Sequence, residues 1–269
     1  MIDKPTFNQD ELRARFNPEG SPLRRQQMVM LEMVKVMDSI CKKYDIPYFL
    51  YGGTLLGAIR HNGFIPWDDD LDVAMMRNDY KRLLKVLPDE LPEHIVLQTN
   101  DTDKNYFFFV GKLRDKRSFL DEGGFDSVFK ERGIFIDIFP LDKLLPWTQK
   151  LRFQSLAYNF FRKGDGSVSA MKRIRALTWF NRHVSFPLLR GISRLSATKA
   201  LMCDYGIPFH NIYNLNDISH LTTHDFEGVQ LPVPGNSHNM LQTMFGDYMQ
   251  LPADLDNVYH HVERLEFFD

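Results

Sequence analysis

Four aspartates, Asp68, Asp69, Asp70 and Asp72, fall within five positions of this 269-residue chain, between Pro66-Trp67 and Val73. Carboxylates crowded in a folded segment repel one another unless a cation or a proton neutralises them. Alternation along a strand puts Asp70 and Asp72 on one face. Such an oxygen pair suits Mg²⁺ or Mn²⁺, which keeps coordination positions open for phosphate oxygens. A fifth carboxylate, Asp137, sits inside the apolar run Ile134-Phe-Ile-Asp-Ile-Phe139. A lone carboxylate in a buried strand needs a partner. Either it joins Asp70 and Asp72 as a third ligand or proton acceptor, or it is structural and pairs with Arg114 or Arg132. The third feature is Gly52-Gly53-Thr54, about 16 residues before the acidic run. Glycines between a strand and a helix let backbone amides approach a phosphate, and the start of the helix favours the anion. In that order the three features predict a divalent-metal enzyme acting on a phosphate-bearing substrate.

The elements that must position these residues are legible from spacing. Ser21-Pro22 reads as a helix start, a capping serine followed by proline at the first helical position. Met30, Met33, Val34, Met37, Ile40, Cys41 and Tyr44 then recur at helical spacing on a core-facing stripe. Tyr48–Tyr51 predicts a short buried strand, 55–60 a short helix, Asn62-Gly63 a turn and Leu71–Met76 a strand. Asn78 is the expected cap of a helix running to Pro88. Ile95–Leu97, Tyr106–Val110 and Ile134–Phe139 read as further strands. The expected fold is therefore a mixed β-sheet core flanked by helices, an α/β (α+β) arrangement, over residues 21–147. Residues 1–20 read as a polar arm. Residues 148–269 read as a helical and irregular part that packs on the core, rich in aromatics and bases over 148–204.

Composition bounds the rest. With 43% hydrophobic residues the chain has enough apolar surface for a core, and a net charge of −2 argues against a nucleic-acid binder. Cys41 and Cys203 are far apart and form no Cys-x-x-Cys pair, so neither a disulfide framework nor a cysteine zinc site is expected. The polar first ten residues and the lack of a long apolar run lead us to expect a cytoplasmic enzyme.

At these residues the chain resembles the LicD family. Tyr48 to Val73 looks like that family's most diagnostic block, 136–142 (Ile-Asp-Ile-Phe-Pro-Leu-Asp) like its second, and 245–252 (Phe-Gly-Asp-Tyr-Met-Gln-Leu-Pro) with His260-His261 like its C-terminal block. The resemblance implies a nucleotidyltransferase (polymerase-β-like) fold. It also implies transfer of a phosphoalcohol, typically phosphocholine, from a CDP-activated donor to a glycan or lipid-linked glycan acceptor such as lipopolysaccharide, teichoic acid or capsule. Under it, Asp70, Asp72 and Asp137 would hold Mg²⁺ (or Mn²⁺), and Gly52, Gly53 and Thr54 would cradle a phosphate. Arg60, His61 and Lys112 would neutralise phosphate oxygens. Tyr51 and Trp67 would face a quaternary ammonium head group, or else simply pack in the core. Asp68, Asp69, Asp247, Tyr248 and His260 would shape the site. Phosphoethanolamine, glycerol phosphate, ribitol phosphate or a phosphonate remain alternative units. A metal-dependent glycosyltransferase and a nucleotidyltransferase remain alternative activities. The basic, aromatic 148–204 stretch admits two readings, a helical subdomain on the core or a peripheral contact with the inner face of a membrane. The first is preferred, because amphipathic helices usually pack on protein.

Overall fold

The structure, a computed structural model, describes residues 7–121, 123, 128–149, 168–207, 209–255 and 264–268. The expected residues Arg152, Phe153, Tyr158, Phe160, Phe161, Arg162, Lys163, Gly164, Asp165, Gly166, His260 and His261 lie outside that set.

The long helix forms as its stripe requires. Within the N-terminal stretch, residues Gln9–Phe16 form α1, and α2 spans Pro22–Lys43. Ser21 Oγ accepts from Arg24 N at 3.2 Å to cap α2. Met30, Met33, Val34 and Met37 are fully buried against the sheet. After β1 (Phe49–Leu50), helix α3 (Gly52–His61) begins at the glycines themselves, three residues earlier than expected. Asn62 ends it in the left-handed conformation at φ 53°. Strand β2 (Asp72–Met76) leads directly into α4 (Arg77–Glu90). Asn78 is therefore not the cap: Met76 is, and α4 runs through Pro88. Proline in the last turn removes a single amide bond, so the helix survives it.

Strands β3 (Ile95–Gln98), β4 (Gly111–Asp115), β5 (Ser118–Asp121) and β6 (Phe135–Lys143) follow. No strand forms at Tyr106–Val110. That run does not alternate, and Tyr106 and Phe107 instead build a separate aromatic cluster with Phe129, Met171 and Ile174. Asn100 Nδ2 holds the carbonyls of Tyr106 and Phe108 at 2.8 and 3.0 Å, away from any ladder. Beyond the short turn α5 (Pro146–Gln149) lies α6 (Val168–Phe180), a π turn at Asn181–Ser185 and α7 (Phe186–Arg194). Strands β7 (Ala200–Cys203) and β8 (Tyr213–Asn214) then return to the main sheet.

That sheet is mixed, in the order β1-β2-β6-β4-β3, with β7 and β8 continuing from β6. The nine-residue β6 is its axis. One edge runs parallel to β2, and the other pairs antiparallel with β4 and then, further along, with β7. Row by row, Asp72, Asp137 and Lys112 are register partners, as are Val73, Ile138 and Gly111. Alternation sends the two rows to opposite faces. Helix α4 covers the second row: a Cβ at Gly111 would meet Tyr80 Oη at 3.2 Å and Leu84 Cδ2 at 3.4 Å. The polar row faces the other way.

A hairpin of β9 (Leu221–Phe226) and β10 (Val229–Pro234) closes over α3, followed by α8 (Ser237–Phe245). Strand β11 (Arg264–Phe267) pairs with β5. The hairpin turn uses two positive φ angles, 52° at Glu227 and 78° at Gly228, which match the twist of paired strands. Glu227 is driven into the molecule there. Its carboxylate accepts from Arg13 Nη2 and Arg24 Nη2, each at 2.8 Å, and from Phe64 N at 3.1 Å. Its own amide donates to Asn62 O at 3.0 Å. One side chain thus ties α1, α2 and the end of α3 together. Glu227→Ala should lower stability by about 2 kcal/mol, mainly through Arg24, since Arg13 is partly solvated. Thermal unfolding followed by circular dichroism should show a drop of about 5 °C.

Candidate active site

The acidic site is assembled from three pieces of chain. Asp72 opens β2, Asp137 lies opposite it on parallel β6, and Lys112 lies opposite Asp137 on β4. Lys112 Nζ donates to Asp137 Oδ2 at 2.8 Å and stands 3.2 Å from the centroid of the Phe135 ring. The partner of Asp137 is therefore neither Arg114 nor Arg132. Arg114 is occupied by Gln98 Oε1 and Gly133 O, and Arg132 by Asp121. Asp137 Oδ1 is buried and has no hydrogen-bond partner among the described residues.

Burial, together with the charges of Asp70, Asp137 and Asp68, pushes the Asp72 carboxyl well above the usual carboxylate range, with Lys112 opposing. Asp68 is raised in the same direction by burial and by Asp70 and Asp69, with Arg60 opposing. The structure thus brings Asp68, Asp70, Asp72 and Asp137 together, but not as strand alternation predicts. Strand β2 begins at Asp72, and Asp70 approaches from the loop before it.

That loop is held from behind by α2. Gln26 Nε2 donates to Asp69 O at 2.6 Å and Gln27 Nε2 to Asp68 O at 2.9 Å. Asn17 Nδ2 in turn donates to Gln27 Oε1 at 2.7 Å. Both glutamines were missed in the sequence, although a signal exists. They occupy the positions three and four before Met30, so they continue the apolar stripe of α2 with buried amides, which need acceptors.

Helix α3 opens against the carboxylates. Thr54 Oγ1 accepts from Asp72 N at 2.8 Å, and Tyr51 N donates to Asp72 O at 3.0 Å. Gly52 has φ 56°, and a Cβ there would sit 2.7 Å from Asp72 Oδ2; at Gly53 it would sit 2.9 Å from Asp68 Oδ2. No side chain caps α3, and its first intrahelical bond runs from Leu55 N to Tyr51 O. The amides of Gly52, Gly53 and Thr54 precede that bond and so have no partner within the helix itself.

The side chains of several expected donor-binding residues are engaged away from Asp72 and Asp137. Tyr51 is buried, with its hydroxyl 2.8 Å from Tyr213 Oη and 3.3 Å from Cys203 Sγ. Trp67 packs edge-on against Phe16 and His61. His61 accepts from Arg60 Nε at 2.9 Å and bonds Gln9, and burial beside Arg60 and Arg13 drives its pKa to about 3. It is therefore neutral at pH 7 and offers no charge to a phosphate. Arg60, its pKa lowered to about 10 by burial, donates through Nη1 to Tyr248 O and Gln250 O at 2.8 and 3.0 Å. It fastens the C-terminal block to α3 and attracts Asp68. Tyr248 Oη is 2.9 Å from His238 Nδ1, and exposed Asp247 accepts from Gln250 within its own turn.

The carboxylates offer oxygen donors of the kind a hard divalent cation takes. Arg60 opposes the raised charge cost at Asp68 and Lys112 that at Asp72, and Asp137 Oδ1 has no hydrogen-bond partner among the described residues. Among the described residues no group of three or more His, Cys, Asp or Glu side chains is placed to hold a metal ion by itself. Mg²⁺ habitually takes one or two protein carboxylates and completes its shell with water and phosphate.

Residues 45–189 match the LicD/FKTN/FKRP nucleotidyltransferase domain. The lipopolysaccharide cholinephosphotransferase LicD of Haemophilus influenzae is 31% identical over 259 residues, covering 90% of this chain and 96% of that protein. An uncharacterized protein of Rickettsia prowazekii is 39% identical over 64 residues, 24% of each chain. Human ribitol 5-phosphate transferase FKRP is 38% identical over 48 residues, 18% of this chain and 10% of FKRP. The matched domain spans more than half of the sequence and the Haemophilus protein aligns with nearly all of it, so this chain belongs to the LicD/FKTN/FKRP nucleotidyltransferase-domain family.

Proposed function

We propose that this protein transfers a phosphoalcohol unit, phosphocholine first among them, from a CDP-activated donor to a sugar hydroxyl of a cell-surface glycan, releasing CMP. The observation that carries the reading is the registered pair Asp72–Asp137, with Asp137 Oδ1 unpartnered among the described residues and the start of α3 directly beside Asp72. The relatives add support, since one is a cholinephosphotransferase and another a ribitol 5-phosphate transferase, and both move a phosphoalcohol.

In this reading the amides of Gly52, Gly53 and Thr54 bind a donor phosphate. Asp70 and Asp72 would hold Mg²⁺ or Mn²⁺; Lys112 leaves Asp137 one open oxygen, Oδ1, which serves as proton acceptor rather than ligand. Such an ion supplies charge neutralisation on the donor pyrophosphate and on departing CMP. The acceptor hydroxyl oxygen bonds to the phosphorus bearing the alcohol as the bond from that phosphorus to the CMP oxygen breaks. Asp137, oriented by Lys112, takes the hydroxyl proton on Oδ1.

The test is CMP release from CDP-choline, CDP-ethanolamine, CDP-glycerol and CDP-ribitol, with and without a chelator, and mass analysis of the acceptor. CMP release from one of them, lost on chelation and accompanied by a phosphoalcohol-sized increment, is expected. A nucleotide-sized increment, or UDP release from a UDP-sugar, would overturn the assignment.

A further inference from the structure

Helices α6 and α7 have apolar residues on two faces. The inner face is accounted for: Met171 and Ile174 are buried with Tyr106, Phe107 and Phe129, and Phe186 and Leu189 with Leu144, Met202 and Tyr205. The outer row is Phe180, Val184, Leu188, Ile192 and Leu195, each between 37% and 91% exposed. A four-residue step drifts by about 40° in a straight α-helix. The wider π turn at Asn181–Ser185 absorbs part of that drift and keeps the row continuous. A helix exposed to water is normally polar on its outer side.

The charge of the segment identifies what suits that row. Residues 166–203 contain no Asp or Glu, yet carry Lys172, Arg173, Arg175, Arg182, Arg190, Arg194 and Lys199, in a chain whose net charge is −2. Lys172, Arg173, Arg194 and Lys199 are exposed. At the end of α7 a cavity of about 460 Å³ sets Arg77, Lys143 and Arg194, with the hydroxyl residues Ser193, Ser196 and Thr198, against the single carboxylate Asp142. Trp147, 53% exposed, lies two residues after Leu145, whose N donates to Ser193 Oγ of α7 at 3.2 Å, and Trp179 is exposed on α6. An apolar row flanked by cations and tryptophan complements a surface that is anionic outside and apolar beneath. A second copy would oppose like charges, and nucleic acid would leave the row uncovered.

We propose that the outer face of α6–α7 docks on an anionic phospholipid bilayer, with Phe180, Val184, Leu188, Ile192 and Leu195 entering the boundary between headgroups and acyl chains. The attachment is peripheral: among the described residues no helix is long and apolar enough to cross a membrane. It reverses the preference drawn from sequence, because the inner face packs on protein and the outer one is left over. It does not depend on the transfer reaction.

Full-length protein should co-sediment with phosphatidylcholine vesicles containing about 30% phosphatidylglycerol at least about tenfold more tightly than with phosphatidylcholine alone. Binding should weaken as salt rises from about 0.05 to 0.5 M, since screening shortens the reach of the cations. The emission of Trp147 and Trp179 should shift to the blue on binding. Leu188→Asp with Ile192→Asp should reduce vesicle affinity by at least about tenfold at an unchanged melting temperature. Arg173→Glu with Arg194→Glu should do so on anionic vesicles only. Wild-type protein that stays in the supernatant, or a Leu188→Asp/Ile192→Asp variant that binds as tightly as wild type, would overturn the proposal. So would light scattering that shows this variant splitting a dimer while wild type ignores vesicles.

Discussion

Asp72→Asn should lower CMP-releasing turnover by about 10³-fold while leaving the metal-free protein at least as stable as wild type. The two halves of this expectation share one cause. Asp72 is buried, and Asp70, Asp137 and Asp68 oppose its ionisation. Its folded pKa therefore lies above the unfolded value near 4. The folded state binds the extra proton between those two values, so wild-type stability falls as pH rises through that window. Asparagine has no proton to lose and keeps the shape. The variant's melting temperature should exceed that of wild type at pH 7 without divalent cation, and the gap should close as pH falls toward about 4. Adding Mg²⁺ should raise the wild-type melting temperature through binding to the folded state alone, and should raise that of the variant much less. A melting series against pH and Mg²⁺, alongside turnover, separates a site residue from a structural one. An asparagine variant with undiminished metal-dependent turnover would remove Asp72 from the site.

What could be read in advance follows a physical division. The stripe of α2, the acidic strand start at Asp72 and the carboxylate inside β6 are local patterns, and they appear within a residue or two of their expected places. The β2–β6 pairing that joins Asp72 to Asp137 was anticipated only because a buried carboxylate demanded a partner. That demand could not distinguish Lys112 from Arg114 or Arg132, which differ in strand register rather than residue type. Charge also misled. Arg60 and His61 follow the glycine turn closely, yet both are consumed in fastening α3 to Tyr248, Gln250 and Gln9. Tyr106–Val110 failed for a different reason. β-propensity summarises packing, and here Tyr106, Phe107 and Phe108 pack on one another and on α6, while Phe109 packs on Phe186 of α7, rather than alternating across a sheet.

Gly52→Ala should cost both stability and turnover, for two reasons that controls can separate. The residue has φ 56°, where a side chain is strained by about 1 kcal/mol. Its new Cβ would also stand 2.7 Å from Asp72 Oδ2, against an ordinary contact of about 3.4 Å or more. Either the start of α3 or the Asp72 carboxylate must therefore give way by several tenths of an ångström. Both belong to the proposed site, and displacements on the scale of 1 Å there cost about 10²-fold in rate. Gly20 supplies the strain control: it has φ 82° and no neighbour within 4 Å of a Cβ, so Gly20→Ala should lose stability without losing turnover. Gly53 supplies the steric control. It does not share the positive φ, and its Cβ would meet Asp68 Oδ2 at 2.9 Å, so Gly53→Ala should disturb the supporting carboxylate with less loss of stability than Gly52→Ala. The ordering to look for in turnover is Gly52→Ala lowest, Gly53→Ala intermediate and Gly20→Ala near wild type, with melting temperatures recorded for each. If Gly52→Ala and Gly20→Ala matched in both measurements, the glycine would be there for its backbone angle alone, and the close approach of α3 to Asp72 would carry no catalytic consequence.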